Sequence, residues 1–213
     1  MATKRKPLSR DRILEAALAL ADEHGLEALS MRKLGQSLGF EAMSLYNHVT
    51  HKDDLLDGML DLVLTEMEAP RPEDGLAGIR AAAISAHEAL QRHPWAASLL
   101  MAPSRVRPAR LRYMDALLGA LRGAGFPAET TYHAYHVIDA HVIGFSLWAS
   151  AHASAMPEDL GDVRELLDRM IPADTYPHLR EHAHQHLEDG PHRATSAFEF
   201  GLDLLLDSLE QRR

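Results

Sequence analysis

The sequence predicts an all-α fold, with a small three-helix head in front of a larger helical body. Three observations lead there. Apolar residues recur at three- and four-residue spacing almost from end to end, which is the period of a buried helix face. No run alternates apolar and polar residues as a half-buried strand does. Gly and Pro interrupt the pattern at intervals that suit helices of ordinary length, as at Gly25, Gly39, Pro70 and Pro72.

Taken in order, Ser9 is a good N-cap for a helix that carries Ile13, Ala17, Leu20 and Ala21 on one face and stops at Gly25. Ser30 caps a second, short helix with Leu34 and Leu38 inward, ended by Gly39. A third begins near Ala42 and places Leu45 and Val49 on one side. A longer fourth helix follows in "HKDDLLDGMLDLVLTEMEA", with Leu55, Leu56, Met59, Leu60, Val63 and Met67 facing the interior. Pro70 and Pro72 end it. The resulting division is a basic arm and head over 1–52, a connecting helix over 52–68, and a helical body over 69–213.

Within the body the period predicts helices near 75–92, 94–101, 106–123, 127–155, 161–170, 177–188 and 193–211. Asp139 is the only charged residue between Thr130 and Met156, with His counted neutral. A helix that apolar is expected to be covered nearly all round.

The 213 residues include no cysteine, which removes disulfides, thiolate zinc sites and cysteine nucleophiles together. No window approaches 18 uncharged apolar residues and "MATKRKPLSR" has no apolar run behind it, so neither a membrane span nor a secretory signal is expected. A cytoplasmic protein is the expectation.

The net charge of −9 is unevenly spread. Residues 1–52 hold eight Lys/Arg against six Asp/Glu and include all four lysines, whereas residues 53–213 hold fourteen against twenty-five. One reading of this asymmetry is a polyanion-facing head on an acidic body.

The stretch "SMRKLGQSLGFEAMSLYNHVTHKDDLL" supplies the geometry for that reading. Two short helices meet at Gly39, where a left-handed turn excludes a Cβ. In a helix-turn-helix the second helix enters the DNA major groove. Its outward residues here are Glu41, Ala42, Met43, Ser44, Tyr46, Asn47 and His48, with Leu45 and Val49 anchoring it from behind.

"ILEAALALADEHGLEALSMRKLGQSLGFEAMSLYNHVTHKDDLL" resembles the DNA-binding domain of the tetracycline-repressor (TetR-type) family of bacterial transcription regulators. The matching signals are Ala16-Ala17, His24-Gly25, Ser30 with Arg32-Lys33-Leu34, Leu38-Gly39, Leu45-Tyr46, His48-Val49 and Lys52. The resemblance implies that Tyr46 and Lys52 hold phosphates and that Arg32 reaches the backbone or a guanine. It places Ala42, Met43 and Ser44 against bases, with the first two on thymine methyls, and lets Glu41 accept from a cytosine amino group. Asn47 reads adenine or touches phosphate, and His48 positions the helix. Ala42-Met43 replaces more polar residues of the better-known tetracycline repressors, so their operator sequence does not transfer. The Lys4-Arg5-Lys6 arm is expected to add phosphate or minor-groove contacts, or to be simply a basic tail.

"TYHAYHVIDAHVIGFSLW" and "AFEFGLDLLLDSLE" are similar to two helices of the tetracycline-repressor branch's regulatory domain. That likeness implies a homodimer, a double-stranded palindromic operator as partner, and repression relieved by a small-molecule effector. The stripe Phe198/Leu202/Leu205/Leu209, with part of helix 127–155, is the candidate dimer interface; the alternative is internal core. Polar and aromatic groups among apolar helices mark candidate effector contacts: His87, Trp95, Met101, Tyr113, Tyr132, His136, Asp139, Ile143 and Trp148. Tetracycline repressors use a histidine and a carboxylate for a magnesium-chelated drug. The carboxylate position, aligned on Gly144 and Leu147, is Trp148 here, so an apolar or aromatic effector is expected instead.

No cofactor and no metal site is expected. "HLREHAHQH" does put His178, His182 and His186 on one helical face at metal-ligand spacing, a pattern that a solvated face explains as well. Of the two Glu-x-x-His motifs that a ferritin-like di-iron site needs, only Glu181-x-x-His184 is found. The second functional reading is an all-α enzyme with His136 and Asp139 as a buried acid–base pair.

Overall fold

A computed structural model describes residues 7–102, 108–155, 160–189 and 192–212, with side chains except at 153–155, 160–162, 186, 188–189 and 192–196. Among the described residues every regular element is a helix. The head comprises α1 (Arg10–His24), α2 (Met31–Leu38) and α3 (Ala42–Leu45), and α4 (Lys52–Glu66) runs from it into the body. The body adds α5 (Gly75–Arg92), α6 (Pro94–Leu100), α7 (Pro108–Gly123), α8 (Ala128–Ala155), α9 (Leu160–Met170), α10 (Pro177–Asp189) and α11 (His192–Glu210). The arm residues Lys4, Arg5 and Lys6 lie outside the described residues.

Local chemistry starts and stops the head helices. The Ser9 hydroxyl accepts from the Arg12 N–H and the Ser30 hydroxyl from the Lys33 N–H, each at 3.3 Å, so two otherwise unpaired donors are satisfied. Gly39 is left-handed (φ 74, ψ 32), which lets Phe40 N–H reach back to the Gly35 carbonyl at 2.9 Å. The third helix is shorter than its periodicity suggests. It is regular only through Leu45, and the chain continues as turns that still bury Leu45 and Val49.

The α4 helix packs on α1 in the head and on α5, α6 and α7 in the body, so one rigid rod spans both. The α8 helix packs against α5, α6, α7 and α11, and the α9–α10 hairpin packs on itself.

Two expectations about packing are corrected. Phe198 and Leu202 are fully buried inside the single chain, with Leu206 beside them, so the upper half of the proposed interface stripe is core. The face that α11 leaves to solvent is displaced by two residues: Phe200 is 67% exposed and Leu204 56%. Leu205 and Leu209 are part-exposed and line a groove of about 610 Å³ with Ala134 and Val137 of α8. Nor is α8 covered all round. Val137, Ala140, Gly144 and Trp148 form an exposed stripe at helical spacing, and a Cβ built on Gly144 meets no neighbour. A helix apolar on every side has two packing faces, and its period is the same for both.

Candidate nucleic-acid interface and helical cavity

The helix-turn-helix surface is built from the inside. Leu34, Leu45, Leu55 and Val49 are fully buried, and they fix the second and third helices against α1 and α4. Gly35 is the closest approach: a Cβ there would stand 2.8 Å from the Phe40 carbonyl and 3.2 Å from Ala42 N. Arg10 then ties the ends together. Its guanidinium donates to Asp54 at 2.7 and 3.1 Å and to the His48 carbonyl at 3.1 Å. Asp54 also accepts from the Thr50 backbone at 2.9 Å, and the Asp54 N–H donates to His51 Nδ1 at 3.0 Å, capping α4.

Outward from this frame, Arg32, Glu41, Met43, Tyr46, Asn47 and Lys52 are exposed, while Ala42, Ser44 and His48 are half-buried. Tyr46 is 42% exposed, so it is not sealed inside the head. Lys52 is the first residue of α4, where the unpaired N–H groups of a helix start also favour an anion.

The sequence-derived effector residues separate into three places. Tyr113, Asp139 and Ile143 meet at one cavity of about 30 Å³, bounded also by Leu64 of α4 and Met67 just after it, Leu90, Leu100, Arg110, Met114 and Val142. Burial pushes the Asp139 carboxyl above its ordinary range against the opposing charges of Arg110 and His136. Burial likewise raises the Tyr113 hydroxyl, with the charge of Asp139 adding to it.

The second group lies elsewhere in the interior. His87 is buried, its Nδ1 2.8 Å from the Ser146 hydroxyl and its ring stacked on Phe198 at 3.9 Å. Ser146 spends its own proton on the Val142 carbonyl, so His87 Nδ1 is the donor. Trp95 is buried at the junction of head and body, where its indole N–H donates to Asp22 at 2.7 Å.

The third group is at the surface. Met101, Tyr132, His136 and Trp148 are exposed. His136 is therefore no buried partner for Asp139; its Nδ1 donates to the Tyr132 carbonyl one turn back at 2.7 Å. The buried acid–base pair of the enzyme reading does not form.

Sequence inspection missed Arg110, Leu64, Met67, Leu90, Leu100 and Met114. Arg110 carried a signal, because it is three residues before Tyr113 on the same face. The others carried none, being ordinary core residues until a neighbouring helix leaves space beside them. His178 and His182 are exposed and the His186 side chain lies outside the described residues. Among the described residues no group of three His, Asp or Glu is placed to hold a metal, and none of the helices is long and apolar enough to cross a membrane.

The family model for bacterial regulatory proteins of the tetR family matches residues 13–59, and that for the tetracyclin repressor-like C-terminal domain matches residues 69–213. The chain belongs to the tetracycline-repressor family. This regulator is 32% identical over 214 residues to the HTH-type transcriptional repressor DrrR1 of Streptomyces coeruleorubidus, covering 95% of this chain and 77% of that one. It is 31% identical to the class A tetracycline repressor protein from transposon 1721 of Escherichia coli, over 97% and 92% of the two chains. The solved structure of the TetR family protein ActR of Streptomyces coelicolor in complex with actinorhodin superposes with a TM-score of 0.73, at 29% identity over 96% and 98%. These relatives are named for regulation and not for catalysis. The regulator is a DNA-binding transcription factor of the same kind.

Proposed function

We propose that this TetR-family regulator acts as a homodimeric repressor that leaves a palindromic operator when a small apolar or aromatic molecule enters the cavity between α4, α5, α7 and α8. The observation that carries this reading is that α4 belongs to both parts. Its first residue is the exposed Lys52 of the DNA face, and Leu64 near its far end, with Met67 directly after it, walls the cavity. A cavity of about 30 Å³ holds a water or two and no effector. A ligand must therefore displace those walls, and it favours whichever conformation gives it room.

Each half of a palindrome needs its own head, with recognition helices about 34–36 Å apart. A second copy seated on the exposed stripes of α8 (Val137, Ala140, Gly144, Trp148) and α11 (Phe200, Leu204) would bury the apolar surface that the single chain leaves open. Ala140 and Gly144 let such helices approach closely. Arg32, Tyr46 and Lys52 are the phosphate and backbone contacts in this reading, and Glu41 to His48 the base-facing surface. The protein works in the cytoplasm, where the chromosome is, and has no catalytic role.

The test uses duplexes selected by the wild-type protein from a random-sequence pool. The expected product is a short palindrome bound with a steep salt dependence. Lys52→Ala should weaken binding uniformly across sequences and lower the salt slope by about one per half-site. Selection of no duplex, or Lys52→Ala and Tyr46→Ala variants that bind like wild type, would overturn the reading.

A further inference from the structure

One histidine sits at the junction between head and body. The dipeptide His93-Pro94 ends α5, because Pro94 has no N–H to donate and its ring disfavours helical backbone at the residue before it. His93 accordingly leaves the helix (φ −126, ψ 68), and its buried ring turns into the gap between α1 and α4. There Nδ1 is 2.8 Å from Asp22 Oδ1, near the end of α1, and Nε2 is 3.1 Å from Glu66 Oε1, the last residue of α4.

Two further side chains join the set. Trp95 of α6 donates to the same Asp22 oxygen at 2.7 Å, and Arg92 of α5 donates to the other Glu66 oxygen at 2.9 Å. The titratable and charged groups facing His93 are thus Asp22 from α1, Glu66 from α4 and Arg92 from α5. Although burial opposes it, hydrogen bonds from Arg92 and the charge and hydrogen bond of His93 hold the Glu66 carboxyl below its usual range.

Carboxylates accept and do not donate, so a ring facing one through each nitrogen makes both bonds only with a hydrogen on each. That form is the imidazolium. With it the set of two carboxylates, Arg92 and His93 is neutral. Without it one part-exposed carboxylate faces a bare nitrogen lone pair of the buried ring, which is repulsive. The longer bond, to Glu66, is the one released.

We propose that His93 is the positioning residue that fixes the DNA-binding head on the body, joining α1, α4 and the α5–α6 corner as an imidazolium, so that operator binding is coupled to a proton on this ring. The inference rests on the reading of the protein as an operator-binding regulator. Loss of the proton frees the C-terminal end of α4 from α1, the same helix end that walls the cavity. The joint holds the arrangement described here, and protonation favours it; a head held in one position meets duplex DNA with less loss of freedom than one left to move. Operator affinity therefore falls as the ring loses its proton.

The experiment follows two quantities on full-length protein across about pH 5 to 8: affinity for a duplex selected by the wild type, and the ring ¹⁵N shifts of His93, assigned by difference from His93→Gln. A fall in affinity of roughly tenfold is expected, of the size usual for coupling between two sites, with its midpoint on the titration of His93. His93→Gln and Asp22→Asn should both lose that step; Asp22→Asn leaves Trp95 an acceptor and decides the matter if the first variant does not fold. An affinity step that does not follow the His93 titration, or either folded variant keeping the wild-type profile, overturns the joint. If no duplex is selected, the reading of function fails on its own. The joint is then judged by whether its two ring N–H groups show hydrogen-bonded ¹⁵N signatures that Asp22→Asn abolishes, and absence of those signatures overturns it.

Discussion

Asp54 receives the Arg10 guanidinium through both of its carboxylate oxygens, at 2.7 and 3.1 Å, and this pair closes the start of α1 onto the start of α4. The hydrogen bond from Arg10 and that from the Thr50 backbone hold the Asp54 carboxyl far below its ordinary range. A carboxyl depressed in the folded state stabilises above its unfolded pKa of about 3.9, and that contribution is lost as pH falls below it. Asp54→Asn should cost about 1–2 kcal/mol at neutral pH, a figure discounted because the Arg10 side chain is over a third exposed. The difference from wild type in urea unfolding should shrink as pH drops through the acid range. An equal difference at all pH values would contradict the assignment.

Gly35 is where α2 and the chain leading into α3 come closest, and the obstruction is backbone, which cannot rotate away. Gly35→Ala should destabilise the head by about 1–3 kcal/mol, as overpacking does. Thermal unfolding followed in the far ultraviolet is the measurement, and a melting point equal to wild type would show the turn to be more yielding than its geometry.

His87 in the body core is pushed down to about 4 by burial and by the charge of His141. The unfolded chain takes up this proton at about 6.5, so stability should fall as pH drops from there toward the folded value. The contribution lost at about pH 5 should be about 1–2 kcal/mol. His87→Leu should flatten that part of the stability–pH curve. An unchanged slope would place the acid sensitivity on another residue.

Phe200 and Leu204 are exposed in the single chain, whereas Phe198 and Leu202 are core. Paired Phe200→Asp and Leu204→Asp substitutions should give folded monomers in sedimentation equilibrium with much weakened operator binding. Leu202→Asp should instead unfold the chain, since it buries an unpaired charge. Folded dimers from the first variant would move the interface elsewhere.

Helix positions, caps and breaks were legible in the sequence because each depends on near neighbours: Ser9 and Ser30 on the residues three ahead, Gly39 on its own backbone angles, Pro94 on the residue before it. That Glu41, Met43, Tyr46, Asn47 and Lys52 lie at the surface was legible for the same reason, since one short segment carries them all. What only the tertiary structure decided is which apolar face of α11 turns inward, which of the nine effector candidates share a cavity, and that Asp22, Glu66 and His93 meet. Helical period gives the angle between residues on one rod and nothing about the neighbouring rod. Contacts between elements far apart in sequence arise only when the rods pack.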